Sequence, residues 1–298
     1  MPAAISTLGR LVVAENANFT TNPVRLNFGE FEPGVEVEFA DMNLTRGKLY
    51  KDDVLVRTNR VLVLPRVRCQ PNATELAAIL KWATSGTPTG SPDVTYPFAD
   101  VPLAWHMWYR PNEGTGWRLE EVAVDTLTIR GSSGQPLDID LELVGRSYTH
   151  TSTGFPNTPN SLTTSPLLFK DLTLTVGSTQ VTTREFTLTV RHNIDRERFL
   201  NSERLTALNK LHTEIMWMVS PPAGDFVGLW DQARTAGVSC LAEFNGAGTM
   251  RLRLRSPAVR FRPRSPNAPF RSELFLSWEG EAYSDNGTND PLEISLRP

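Results

Sequence analysis

Four histidines, two cysteines and two ladders of like charge are the residues of this chain whose types and spacing could do chemistry. His106, His150, His192 and His212 form neither an HxH nor an HExxH pattern, so they do not supply the closely spaced imidazoles of a zinc site. Cys69 and Cys240 stand far apart with no CxxC spacing, and we expect both to be buried as small hydrophobes. There is no GxSxG elbow, no phosphate-binding P-loop and no GxGxxG opening a helix; Gly131-Ser132-Ser133-Gly134 reads as a turn. The expectation is a protein that is not an enzyme and carries no metal or cofactor.

The charged ladders point to assembly instead. Asp138, Asp140 and Glu142 alternate with Ile139, Leu141 and Leu143 and predict a strand with one acidic face. Arg251, Arg253, Arg255, Arg260, Arg262 and Arg264 are expected on one face of a hairpin whose other face carries Leu252, Leu254, Val259 and Phe261. Like charges two residues apart on a strand repel, so a basic ladder is easier to explain with carboxylates opposite. A formal net charge of -3 and the lack of aromatics between the arginines lower the reading that they grip nucleic acid. Trp105, Trp108, Tyr109 and Trp117 could stack on sugars if exposed, which would make the chain a carbohydrate or cell-surface binding module. Their alternation suits core packing at least as well, and core is expected.

The elements that position these residues are mostly strands. Alternation of apolar and polar residues recurs throughout, as in Val35-Glu36-Val37-Glu38-Phe39, Leu172-Thr173-Leu174-Thr175-Val176, Phe186-Thr187-Leu188-Thr189-Val190 and Met250-Arg251-Leu252-Arg253-Leu254. Turn residues such as Pro263-Arg264-Ser265-Pro266-Asn267 separate these runs. Two short helices are expected, one from Asn72-Ala73-Thr74-Glu75 through Ala83 with Gly86 as its stop, the other from about Asp225 through Ala233. With 40% hydrophobic residues and no apolar run near the length of a bilayer span, no membrane segment is expected. Met1 to Leu11 lacks a basic stretch followed by an apolar one, so synthesis in a cytoplasm is expected.

These landmarks recur, predicting an internal repeat. Phe39 to Gly47 matches Phe169 to Gly177 at Phe, Asp, Leu, Thr and Gly, 130 residues apart. Pro71 and Gly86 correspond to Pro222 and Gly237, 151 apart, and Ile139 through Tyr148 correspond to Leu274 through Tyr283, 135 apart. The reading is mainly β, with two tandem β-sandwich units each flanked by a short α-helix. Residues 1–149 form the first unit with an N-terminal extension, 150–165 a linker and 166–298 the second unit. The repeated cores run from about Val35 to Thr149 and from Pro166 to Asn286. The second unit carries 21 extra residues, placed in a long loop at about Asn193 to Asn209; the first has a tight turn near Thr58-Asn59-Arg60 and a longer segment, Thr87 to Pro102, after its helix.

The succession of an alternating strand from Phe186 to Asn193, a long polar loop, a strand, a short helix and a closing hairpin resembles the tail tube (major tail) proteins of long-tailed bacteriophages. The resemblance implies a structural virion protein that stacks in rings around a channel for DNA delivery. A two-unit subunit would close such a ring as a homotrimer with pseudo-sixfold symmetry. It implies partners among its own copies and other tail proteins, including the tape measure, with genomic DNA passing through without sequence-specific binding. It places the protein in the virion tail after synthesis in the host cytoplasm. It also assigns the loop to contact with the neighbouring ring, through Asn193, Asp195, Arg196, Glu197, Arg198, Glu203 and Arg204. Arg251, Arg253 and Arg255 are then subunit-seam candidates, and Asp138, Asp140 and Glu142 lumen or seam candidates. A tail-tip ring or a tail terminator is the nearest alternative.

Overall fold

Alternating segments become strands along nearly the whole chain. The computed structural model describes residues 9–41, 56–111, 115–151, 155–156, 166–222, 237–246, 248–263, 278–284 and 290–298. The first half contains β1 (Arg10–Ala14), β2 (Val24–Leu26), β3 (Phe28–Glu32), β4 (Val35–Asp41), β5 (Val56–Val63), β6 (Arg66–Cys69), helix α1 (Ala73–Thr84), β7 (Val94–Thr95), β8 (Trp105–Arg110), β9 (Gly116–Ser132) and β10 (Asp138–Thr151). The second half contains β11 (Leu172–Val176), β12 (Thr179–Val181), β13 (Glu185–Arg191), β14 (Glu214–Val219), β15 (Val238–Asn245), β16 (Arg251–Pro263), β17 (Trp278–Tyr283) and β18 (Glu293–Arg297). The protein is mainly β, and all these strands join one hydrogen-bonded antiparallel system.

A continuous ribbon runs through both halves in the order β3, β6, β10, β9, β13, β14, β17, β16. Two further sets flank it: β2, β1 and β8 lead to the N-terminal part of β9, while β12, β11 and β15 lead to β16. The long strands change partners where they bulge. β9 pairs with β8 over its first residues and with β13 from Thr126 to Ser132. β16 pairs with β18 at Arg251 to Arg255 and with β17 at Ala258 to Pro263. Their apolar faces enclose one large core cluster that includes Leu76, Trp82, Trp105, Leu127, Ile139, Leu188, Trp217, Phe244, Phe261 and Trp278. Gly145 and Gly280 occupy crowded points of this packing; a Cβ at Gly280 would stand 2.6 Å from Phe261 Cδ1 and from Val259 Cγ1.

Helix α1 follows its sequence signals. Asn72 caps it, accepting from Glu75 N at 3.1 Å, while the Glu75 carboxylate accepts from Asn72 N at 3.0 Å, a reciprocal capping box. The helix ends at Ser85 in the left-handed region, φ 67°, one residue before the expected stop at Gly86. Its apolar face packs on the sheet, with Trp82 stacked on Trp105 at 5.4 Å and its Nε1 donating to Val122 O. The expected helix at Asp225 to Ala233 lies outside the described residues.

Two local expectations are corrected. Thr58, Asn59 and Arg60 do not form a tight turn; they lie inside β5, paired with β4 around a bulge opposite Glu38 and Phe39. Arg251 to Arg262 do not form one face of a hairpin either, since β16 is a single strand with a register shift beside Pro257. The shift moves the outward position from odd to even residues. Arg251, Arg253 and Arg255 therefore stand in the region bounded by β15 and β18, whereas Arg260 and Arg262 stand opposite β17. Arg264 lies outside the described residues.

Candidate functional site

The two halves meet by strand addition. β13 lies antiparallel to β9 with Glu185 opposite Ser132, Leu188 opposite Ile129 and Arg191 opposite Thr126. Leu127, Ile129, Leu188 and Val190 face the core, and Thr126, Thr128, Arg130, Thr187 and Thr189 take the other face. Unpaired strand edges invite this kind of union, and here an edge of one half satisfies an edge of the other.

The connection from β13 to β14 then folds back over the first half. Ile194, Phe199 and Leu205 are buried against Ala123 and Val144, with Leu62, Leu64 and Leu208 around them. Asp125, 5% exposed at its side chain, accepts from Ile194 N at 2.6 Å and from Arg196 Nη2 at 2.6 Å. Arg60 bonds Glu197 at 2.7 Å and lies 5.0 Å over the Phe199 ring, while Val61 N donates to Glu203 O at 2.7 Å. Arg146 Nε donates to Leu205 O at 3.0 Å, and Val61 and Arg204 form an isolated parallel bridge. Asp195 accepts from Glu197 N, and the Arg198 carbonyl accepts from Thr206. At the far turn Leu200 stands 66% exposed.

Both ends of this connection are anchored in the first half. His192 is fully buried, and its Nε2 lies 2.8 Å from Ala83 O. A carbonyl only accepts, so Nε2 carries the proton and Nδ1 accepts from the Thr213 hydroxyl at 3.1 Å. Burial, reinforced by Lys210, pushes the imidazole down to about 4. Lys210 donates to Ala99 O at 2.9 Å and Ser85 Oγ at 3.3 Å, and burial lowers it to about 8. Asn193 leaves the strand at φ 50°, with its amide on the His212 carbonyl.

The acidic ladder lies on the polar face of the ribbon. Asp140, 4% exposed at its side chain, receives both Nε and Nη2 of Arg66, at 3.0 and 2.6 Å, with Arg130 at 3.6 Å; Asp138 pairs with Arg68 at 2.7 Å, and Glu142 is exposed. The face is therefore mixed, because arginines of β6 and β9 neutralise the two aspartates. In register it continues through Thr128, Thr189, Met216, Glu281 and Arg260. The basic ladder is also paired. Arg251 and Arg297 both bond Asp93, Arg253 stands 3.7 Å from Glu243, and Arg255 stands 3.6 Å from Glu293. Asp93 belongs to the segment that adds β7 to β18, so this cluster is a second tie between the halves.

Other candidates resolve into packing. Trp105 and Trp108 are buried, while Tyr109, 4.5 Å from Phe31, and Trp117, packed against Tyr148 and His150, are half-buried, so the four do not share one exposed stacking surface. Cys69 and Cys240 are buried free thiols that burial pushes well above the ordinary range. Among the described residues no group of three or more His, Cys, Asp or Glu could hold a metal, and no helix is long and apolar enough to cross a membrane. Asp125 carries no sequence expectation, and Arg60 enters only as part of the expected turn. A signal existed for Asp125: the buried series Val122, Val124 changes parity to Leu127, Ile129 around it, as a bulge requires.

A search of curated proteins finds no match. The family model described as phage tail tube protein matches residues 20–213, from the connection before β2, through α1 and the β9–β13 junction, to the end of the connection that covers the first half. That span is close to two thirds of the chain, and the chain belongs to the phage tail tube protein family.

Proposed function

We propose that this structural protein of the phage tail polymerises head to tail, three copies closing a ring of six similar half-chain units, and that the rings stack into the tube through which the genome passes. The observation that carries this reading is the β9–β13 junction, where a half-chain adds its edge strand to its neighbour and lays a long connection across it. The strand order supports a duplication into units at 1–149 and 166–298. The paired segments β3/β4 and β5/β6, then β10 and β9, are followed across the junction by β13, β14, β17 and β16. The hairpins β1–β2 and β11–β12 sit alike, each on the strand that precedes a long bulged one. A repeat of the junction between copies would remove the remaining edges by closure.

In this arrangement the polar face carrying Asp138, Asp140 and Glu142 lines the channel. Its ion-paired arginines leave little free positive charge to hold phosphates, which suits DNA passing without sequence-specific binding. Other tail proteins, including a tape measure, would meet the ring ends, and the protein would be made in the host cytoplasm before entering the virion. Negative-stain microscopy of purified protein tests the reading. Long hollow filaments are expected; isolated short rings would favour a tail-tip ring or terminator.

A further inference from the structure

The connection between β13 and β14 hangs from a narrow neck, and two basic side chains tie that neck to the first half. Ile194 and Lys210 form an isolated antiparallel bridge, Asp195 N donates to Asn209 O, and Leu211 N donates to Asn193 O. His192 precedes this neck and Lys210 closes it. Both reach one place, the C-terminal end of α1: His192 Nε2 lies 2.8 Å from Ala83 O, and Lys210 Nζ donates to Ser85 Oγ and to Ala99 O, whose own N–H donates to Thr84 O. The partners of both His192 ring nitrogens, Ala83 O and the Thr213 hydroxyl, are uncharged. The charged groups around the ring are Lys210 from its own connection and Asp125 from β9, whose carboxylate is engaged by Ile194 N and Arg196; Asp100, from the segment after α1, acts on Lys210. From that same segment the Phe98 ring meets His192 edge-on at 6.0 Å. A helix C-terminus favours a cation, but complete burial and the Lys210 charge outweigh that preference at His192.

We propose that His192 is an acid-sensitive latch: proton uptake frees the neck from the end of α1 and lifts the 193–209 connection off Leu62, Leu64, Ala123 and Val144, while the β9–β13 junction stays paired. It is a property of the single chain and does not depend on ring closure. Release brings the imidazole into water, where it binds a proton readily; the docked ring does not, so acid draws the equilibrium towards release. With the docked ring at about 4 against 6.5 when free, that equilibrium moves by up to about 300-fold between those pH values. Lys210 loosens the neck in the same direction at higher pH, because burial disfavours its charge as well.

Hydrogen exchange of the full-length chain at about pH 7 and about pH 4.5, corrected for the intrinsic exchange rate at each pH, is the test. Protection across the connection should fall by about tenfold or more at the lower pH, while β9 and β13 keep theirs. H192Q, which retains a donor for Ala83 O, should lose little further protection on acidification. K210M is the second variant and keeps the test open if H192Q does not fold: without the cation beside it the docked imidazole titrates closer to its ordinary value, so the acid response should be smaller than in the wild-type chain. Unchanged protection of the connection at the lower pH, an acid loss just as large in H192Q or K210M, or an equal loss in β9 and β13 overturns the proposal.

Discussion

Asp125 of the first half holds Arg196 of the second, its Oδ2 2.6 Å from Arg196 Nη2, while its Oδ1 takes the backbone N–H of Ile194. The carboxylate is buried at a bulge of β9, and the guanidinium is 43% exposed, so the pair sits at the edge of the apolar patch beneath the connection. Removing Asp125 strands the backbone N–H of Ile194 in that patch and frees the part-exposed Arg196 to water. D125A is therefore expected to cost about 1–3 kcal/mol of unfolding free energy and to expose the sites after Arg196, Arg198 and Arg204 to trypsin. A denaturant titration with limited proteolysis checks it. An unchanged cleavage rate would show that the connection is held by its apolar contacts alone.

Those contacts supply the second prediction. Phe199 is buried under Arg60 and against the Ala123–Val144 strip. F199A should lose about 3 kcal/mol, at the low end for a buried aromatic because the surrounding cluster is small and close to solvent. Hydrogen exchange should quicken across 193–209 while β9 and β13 stay protected. Equal loss of protection throughout would mean that the junction and the connection unfold as one unit.

How much of this was legible in the sequence follows from what each signal depends on. Alternation located strands because it reflects a local fact, which face of a strand is buried. The capping box of α1 was equally local, with Asn72 and Glu75 three residues apart. The 193–209 connection was visible as an excess of residues between two strands. Its docking on Leu62, Leu64, Ala123 and Val144 was not, because those contacts join residues far apart in sequence. The bend of β16 is not distinguishable from a hairpin in sequence, because a register shift beside Pro257 changes which residues face outward just as a turn would. The expected turn at Thr58 to Arg60 follows from aligning the two halves, and the bulge that places these residues inside β5 depends on pairing with β4, which lies outside the local sequence.

His192 gives a pH dependence with a definite sign. Its folded pKa, about 4, lies below its ordinary value, 6.5, so the unfolded chain takes up the proton first as pH falls. Stability is fully present above about pH 6.5, is lost between about 6.5 and 4, and then levels off; the shift corresponds to about 3 kcal/mol. H192Q should lack that part of the slope, and urea titrations at several pH values measure it. Lys210, also lowered, should add stability as pH rises from about 8 towards 10.5.

The basic ladder retains exposure after pairing, 39% at Arg253 and 54% at Arg255, and remains our candidate for contact across a subunit seam. R253E should reduce polymer yield, with no recovery in the exchanged pair E243R/R253E, which restores only the contact within the chain. Sedimentation of assembled protein reads both. Normal polymerisation of R253E would confine the ladder to a role within the chain.

Head-to-tail repetition of the β9–β13 junction is tested most directly by the chain count of one ring. Cryo-electron microscopy of the assembled protein should show hollow tubes whose rings each contain three chains arranged as six similar lobes, with the Asp138–Asp140–Glu142 face inward. Rings of six chains, or a polymer in which that face points outward, would contradict it.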